Sequence, residues 1–219
     1  MCAKQWCEIN FSSVPSVAAA RYQNAFNKNA KEEYEAYKAK LASGEAKVNA
    51  AAIFPHEVIR ALHNGDKDVA EAQWNSLPDY LEGSSERILS VVDVSGSMCS
   101  SVPNTKVTCM DIAIALGLYT SQRGVGEFKD VMMTFSSAPS LFSVSGSLLD
   151  RYNTTRNSDW GYSTSLSAVF DSLLSSATHC KVPSEHMPTT LLIVSDMEFD
   201  QAVHNGRSVS VFEYMLVVS

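Results

Sequence analysis

The chain has 219 residues, 45% of them hydrophobic and 19% charged, which is too apolar for intrinsic disorder and ordinary for a globular fold. Its net charge of −7 argues against a nucleic-acid surface, because phosphate contacts need clustered Lys and Arg; the densest basic stretch, Arg21 to Lys47, is interleaved with Glu32, Glu33, Glu35 and Glu45. Five cysteines with no C-x-x-C spacing suggest neither a disulfide framework nor a thiolate zinc site, and the absence of both a signal-peptide core in MCAKQWCEIN and an apolar run of roughly 18 residues leads us to expect an intracellular, cytoplasmic chain with no membrane contact.

The first part, up to about Leu81, reads as helical. Pro15 suits a first helical turn, Tyr22 and Phe26 lie four apart, and Tyr34, Tyr37 and Leu41 recur at helical spacing before Ser43-Gly44 supplies a stop. A second helix is expected from Pro55, with Val58, Ile59 and Leu62 on one face and His63-Asn64-Gly65 at its end. A third should start at Asp66 as its cap and run through Val69, Ala72 and Gln73 to near Trp74, where Leu77-Pro78 breaks the pattern. The aromatic stripe needs a packing partner, and the domain that follows is the expected one. The expected division is a helical segment over 1–84 and a second domain over 85–219.

The second part alternates strand and helix signals. Ile88 to Val92 is an apolar run suited to a buried parallel strand. Val107 to Gln122 is helical and apolar nearly all round: Met110, Ala113, Ile114, Gly117 and Leu118 make one face, and Ile112, Leu116 and Tyr119 cover another. Phe128 to Phe135 and Leu141 to Val144 read as a hairpin and therefore supply one antiparallel strand. Leu166, Val169, Phe170, Leu173 and Leu174 form a helical stripe, and Thr189 to Val194 is a further buried strand. Strand, helix, two strands, helix, strand is the α/β signature of a mostly parallel sheet covered on both faces.

Two apolar strands each end in a carboxylate, in Val91-Val92-Asp93 and Ile193-Val194-Ser195-Asp196, at the edge where open α/β sheets bind ligands. Gly96 in Asp93-Val94-Ser95-Gly96-Ser97 can turn both serine hydroxyls toward Asp93, giving the hard-oxygen set that Mg²⁺ prefers. Thr164 offers another hydroxyl, or else caps the helix that follows it. Val144-Ser145-Gly146-Ser147 repeats the V-S-G-S string with Ser143 in the place of the aspartate, so the string alone carries little.

With Thr164 71 positions after Asp93 and Asp196 a further 32 on, this set resembles the metal-ion-dependent adhesion site of von Willebrand factor A-type domains. The wider chain is similar to the uncharacterised family that pairs a TROVE-like helical region with such a domain (domain of unknown function 2828), a distant relative of the Ro ribonucleoprotein. The resemblance is carried by Trp6-Cys7-Glu8-Ile9-Asn10-Phe11, Val14-Pro15-Ser16, Lys47-Val48-Asn49, Phe54-Pro55-His56-Glu57 and Ser195-Asp196-Met197-Glu198-Phe199-Asp200. It implies a Rossmann-like three-layer sandwich in which Asp93, Ser95, Ser97, Thr164 and Asp196 hold Mg²⁺ or Mn²⁺. The metal would bridge to an Asp or Glu of a protein partner, without catalysis. Relatives run further after Asp196, so the resemblance also implies a truncated member short of its closing strands. The RNA-binding ring of the Ro protein would lie upstream, so RNA binding is not carried over.

Three other readings compete. A fragment with no binding activity of its own fits the truncation. A serine or aspartyl hydrolase could use Ser95, Ser97 or Asp93, but the motif is not G-x-S-x-G and no His stands out as a base. His179-Cys180 with His186 lacks recognised zinc spacing. Cys99 and Cys109 read as packed thiols beside the loop, and Asp159 and Asp200 as outer supports of the site.

Overall fold

The computed structural model describes residues 5–50, 52–64, 66–103, 105, 107–158, 165–196, 202–204 and 207–209. The chain divides into two compact units, residues 1–80 with 146–149, and the remainder.

The first unit is helical: α1 (Ser16–Asn29), α2 (Lys31–Ala42), α3 (Pro55–Asn64) and α4 (Lys67–Asn75). Asp66 caps α4 as its sequence position predicts, its carboxylate accepting from the Asp68 N–H at 3.1 Å. The aromatic stripe does not need the following domain. Phe11, Phe26, Tyr34 and Tyr37 pack on one another and on Val69 within this unit, with Phe11 edge-on to Phe26 at 5.2 Å and stacked on Tyr37 at 5.5 Å. Tyr34 is buried, and desolvation, with the Asp66 charge behind it, holds its hydroxyl well above the ordinary tyrosine range. Lys38 closes the knot at 2.5 Å from Asp66 and 2.8 Å from Glu35.

The second unit is a mixed α/β domain whose helices accompany a small, open, mostly parallel sheet. Its elements are β1 (Ile88–Val92), α5 (Cys109–Arg123), β2 (Val131–Thr134), β3 (Leu141–Ser143), α6 (Leu148–Arg156), α7 (Leu166–Cys180) and β4 (Thr190–Val194). The first residues of α6 group with the helical unit. The strand order is β3-β2-β1-β4, with β2, β1 and β4 parallel and β3 antiparallel at one end. A separate antiparallel pair joins β5 (Ala202–His204) to β6 (Arg207–Val209).

Alternation along the strands sorts the two faces of the sheet. Leu89, Val91 and Met133 join Phe128, Phe135 and, from α7, Val169 and Leu173 in one apolar core, with Leu191 and Ile193 of β4 packed against it. The other face meets α5. A Cβ at Gly117 would stand 2.5 Å from both Val92 Cγ2 and Met132 Cε, so glycine is what allows this helix to lie so close to the strands. Thr108 and Asp111 form the capping box that starts α5.

Candidate functional site

The site is built by the register of two neighbouring parallel strands. Val92 of β1 pairs with Val194 of β4, and the ladder extends one step further through the Asp93 N–H, which donates to the Val194 carbonyl at 3.0 Å. The residue that meets Asp93 at the strand ends is therefore Ser195, with Asp196 one place beyond it. The Ser195 hydroxyl donates to Asp93 Oδ2 at 2.7 Å, and the Ser95 N–H donates to Oδ1 at 2.9 Å.

Asp93 is 0% exposed. Burying a carboxylate is expensive unless donors replace its water, and here the chain supplies one to each oxygen. The turn that brings the Ser95 N–H back to Asp93 continues into a short 3-10 helix, Gly96–Cys99. Ser95 and Ser97 lie with their hydroxyl oxygens 3.0 Å apart. Of the five residues expected to form the site, Asp93, Ser95 and Ser97 come together at the end of β1. Asp196 is half-buried at the end of β4. Thr164 lies outside the described residues, as do Asp159 and Asp200.

This geometry corrects the metal-site expectation. Among the described residues no group of three or more His, Cys, Asp or Glu side chains could hold a metal ion. The adhesion-site reading of the loop is overturned, and with it the Mg²⁺ or Mn²⁺ ion. The physical reason is local: an N–H and a hydroxyl of the chain itself already engage both oxygens of the central carboxylate. The reading of packed thiols fails for Cys99, which is exposed, while Cys109 is half-buried; both are free.

Sequence reasoning missed Ser195, although the signal was present. Matching the two motifs by their last apolar residue, Val92 against Val194, sets Ser195 opposite Asp93; matching them by carboxylate sets Asp196 there. A second polar contact was also missed: Tyr152 of α6 donates to Asp111 Oδ1 at 3.1 Å, and burial, reinforced by that carboxylate, pushes the tyrosine hydroxyl up to about 12.

The sequence profile of domain of unknown function 7788 (DUF7788) matches residues 87–217, more than half of the chain. The chain belongs to the DUF7788 family. All four strands of the main sheet, and with them Asp93 and Ser195, fall within the DUF7788 segment. Residues 1–86 match the profile of domain of unknown function 2828 (DUF2828). The chain is also similar to uncharacterized protein L728 of Acanthamoeba polyphaga mimivirus, at 33% identity over 232 aligned positions covering 98% of this chain. It spans 39% of that relative's length. Among the described residues no helix is long and apolar enough to cross a membrane.

Proposed function

We propose that this chain is a non-enzymatic structural part of a longer TROVE/von Willebrand A-like protein, with no metal- or small-ligand-binding activity of its own. In this reading the α/β unit is a Rossmann-like sandwich of the von Willebrand A type. The order β3-β2-β1-β4, with an antiparallel strand at one end and the Asp-x-Ser-x-Ser loop after β1, supports it. The limited coverage of the mimivirus protein supports the place of the chain within something longer.

The observation that carries the reading is the internal satisfaction of Asp93. A carboxylate poised for a ligand stands open to solvent; this one is fully buried, and each of its oxygens accepts from the chain itself, one from the Ser95 N–H and the other from the Ser195 hydroxyl. Its work is to tie the end of β1 to the end of β4.

Thermal melting of the chain in Mg²⁺, in Mn²⁺ and in chelator tests this, because a ligand that binds only the native state raises the melting temperature by mass action. Three coincident curves are expected, with no turnover of generic ester or phosphate substrates. A metal-dependent rise sinks the ligand-free reading, and turnover abolished by Asp93→Asn sinks the non-enzymatic one.

A further inference from the structure

The V-S-G-S string occurs twice in the chain and folds in two ways. After β1 its glycine, Gly96, enters the 3-10 helix Gly96–Cys99 without a positive φ. After β3 its glycine, Gly146, stands at φ 90°, a conformation that favours glycine, and turns the chain into α6. In both places the residue after the string is buried, Met98 at 2% exposure and Leu148 at 1%.

The second string is used away from its own family segment. Gly146–Leu149 lies well inside the DUF7788 segment, yet it groups with the helices that the DUF2828 segment builds. One contact shows how. Glu71 of α4 meets the start of α6, its Oε2 accepting from the Leu148 N–H at 2.6 Å. The first N–H groups of a helix have no partner within it, and a carboxylate there satisfies one of them and faces the positive end of the helix dipole. A bond to a charged acceptor is also stronger than a neutral one. Trp74, one turn along α4 from Glu71, is itself 1% exposed, so this stretch of α4 belongs to the packed interior of the helical unit.

We propose that Gly146–Leu149 is a clasp, a piece of the DUF7788 segment that completes the helical unit. It brings three things together: a glycine turn, a backbone N–H for the Glu71 carboxylate and a leucine to bury. The surface that takes it is α4 around Glu71, and the occupant is this chain's own segment. The DUF2828 segment of this chain therefore reaches its full stability only when the DUF7788 segment is joined to it. The inference uses no atom of the Asp93 site and does not rest on the reading of that site.

Hydrogen exchange of the whole chain, followed peptide by peptide by mass spectrometry, tests this, because exchange reports the opening of each region separately. Leu148→Ala is expected to speed exchange across residues 55–75, which hold α3 and α4, by about thirtyfold or more, and to leave residues 166–194 close to the parent rate. Val169→Ala, in the core between sheet and α7, is expected to give the reverse pattern. Glu71→Gln keeps the shape and an acceptor but loses the charge, and should speed the 55–75 region roughly fivefold. It serves as the test if Leu148→Ala does not fold. Parent-like exchange across 55–75 in either folded variant overturns the proposal. So does equal acceleration of both regions by Leu148→Ala, which would make Leu148 a residue of the α/β core.

Discussion

The two units bury polar groups in different places. In the helical unit polar side chains run through the packed interior. Gln23, on α1, accepts from the Asp66 N–H at 2.6 Å through its Oε1, Gln73 donates to the Ser16 carbonyl at 3.3 Å, and Lys38 bridges Asp66 and Glu35 beside the aromatic cluster. In the α/β unit the core between sheet and α7 is apolar, and the principal buried charge, Asp93, sits at the end of a strand. Helix-on-helix packing leaves gaps between aromatic rings that long polar side chains fill while reaching backbone groups at helix ends. A central parallel strand spends its backbone groups on its neighbours; the hydroxyl that β1 buries mid-strand, Ser90, turns to Thr120 of α5 with the two oxygens 2.6 Å apart, while its buried carboxylate sits where the ladder stops. Stability in the first unit should therefore depend on the joint fit of rings and polar ties, and in the second on the separate closure of sheet, helix and strand end.

Predictions that probe this contrast can be ordered by size. Phe26→Ala removes a ring that touches Phe11 and Tyr34 and should lower unfolding stability by about 3–5 kcal/mol, measured by chemical denaturation. Because DUF2828 and DUF7788 segments meet between residues 86 and 87, tryptophan emission in a Trp160→Phe background can follow the first part, which holds Trp6 and Trp74. A change confined to that signal sharpens the contrast; equal loss of the sheet signal breaks it. Asp93→Ala strands the Ser195 hydroxyl and the Ser95 N–H and should cost about 3 kcal/mol. Asp93→Asn, able to accept from one of the two donors, should cost less; if both variants melt like the parent, the strand-end tie is not holding β1 to β4.

Gly117→Ala drives a methyl group against Val92, whose branched side chain has little freedom to yield, and should destabilise by about 1–3 kcal/mol. The smallest effect is alkaline. Burial holds Tyr34 and Tyr37 above their ordinary range in the folded state. Burial opposes the charge on Lys38, but the hydrogen bonds it donates to Asp66 and Glu35 outweigh it and raise this group too. A group raised by folding stabilises fully below its unfolded pKa and ceases to do so as the pH climbs through its folded value. Stability should thus be flat through neutrality and fall from about pH 10 upward, where free tyrosine and lysine titrate. Tyr152, held at about 12, makes a similar but single contribution to the α/β unit. Tyrosinate absorbance followed alongside unfolding, in the parent and in Tyr34→Phe and Tyr37→Phe, checks the order: Tyr34 or Tyr37 ionising near pH 10 before any unfolding would refute it.

Much of the fold was legible because periodicity and caps are local. Ile88 to Val92, Thr190 to Val194, the α7 stripe, the Asp66 cap and the β2–β3 hairpin all follow from residue spacing. α6 did not stand out because its buried positions, Leu148, Tyr152 and Thr155, are few and one is polar, so the hydrophobic period is sparse. The β5–β6 pair escaped notice although Asn205-Gly206, a strong two-residue turn signal, lies between its strands. The site was legible only in part. The loop after β1 announces itself, but its partner depends on the register between strands about a hundred residues apart, and no local pattern states that register.

The one-residue offset between Asp93 and Asp196 also bears on how the molecule matures. Had the strands ended in step, two carboxylates would have met at the rim, and closure of the sheet would have waited for a cation. With a serine in that place the rim carries its own neutral donor. A rim built this way needs no cation to bring those two groups together.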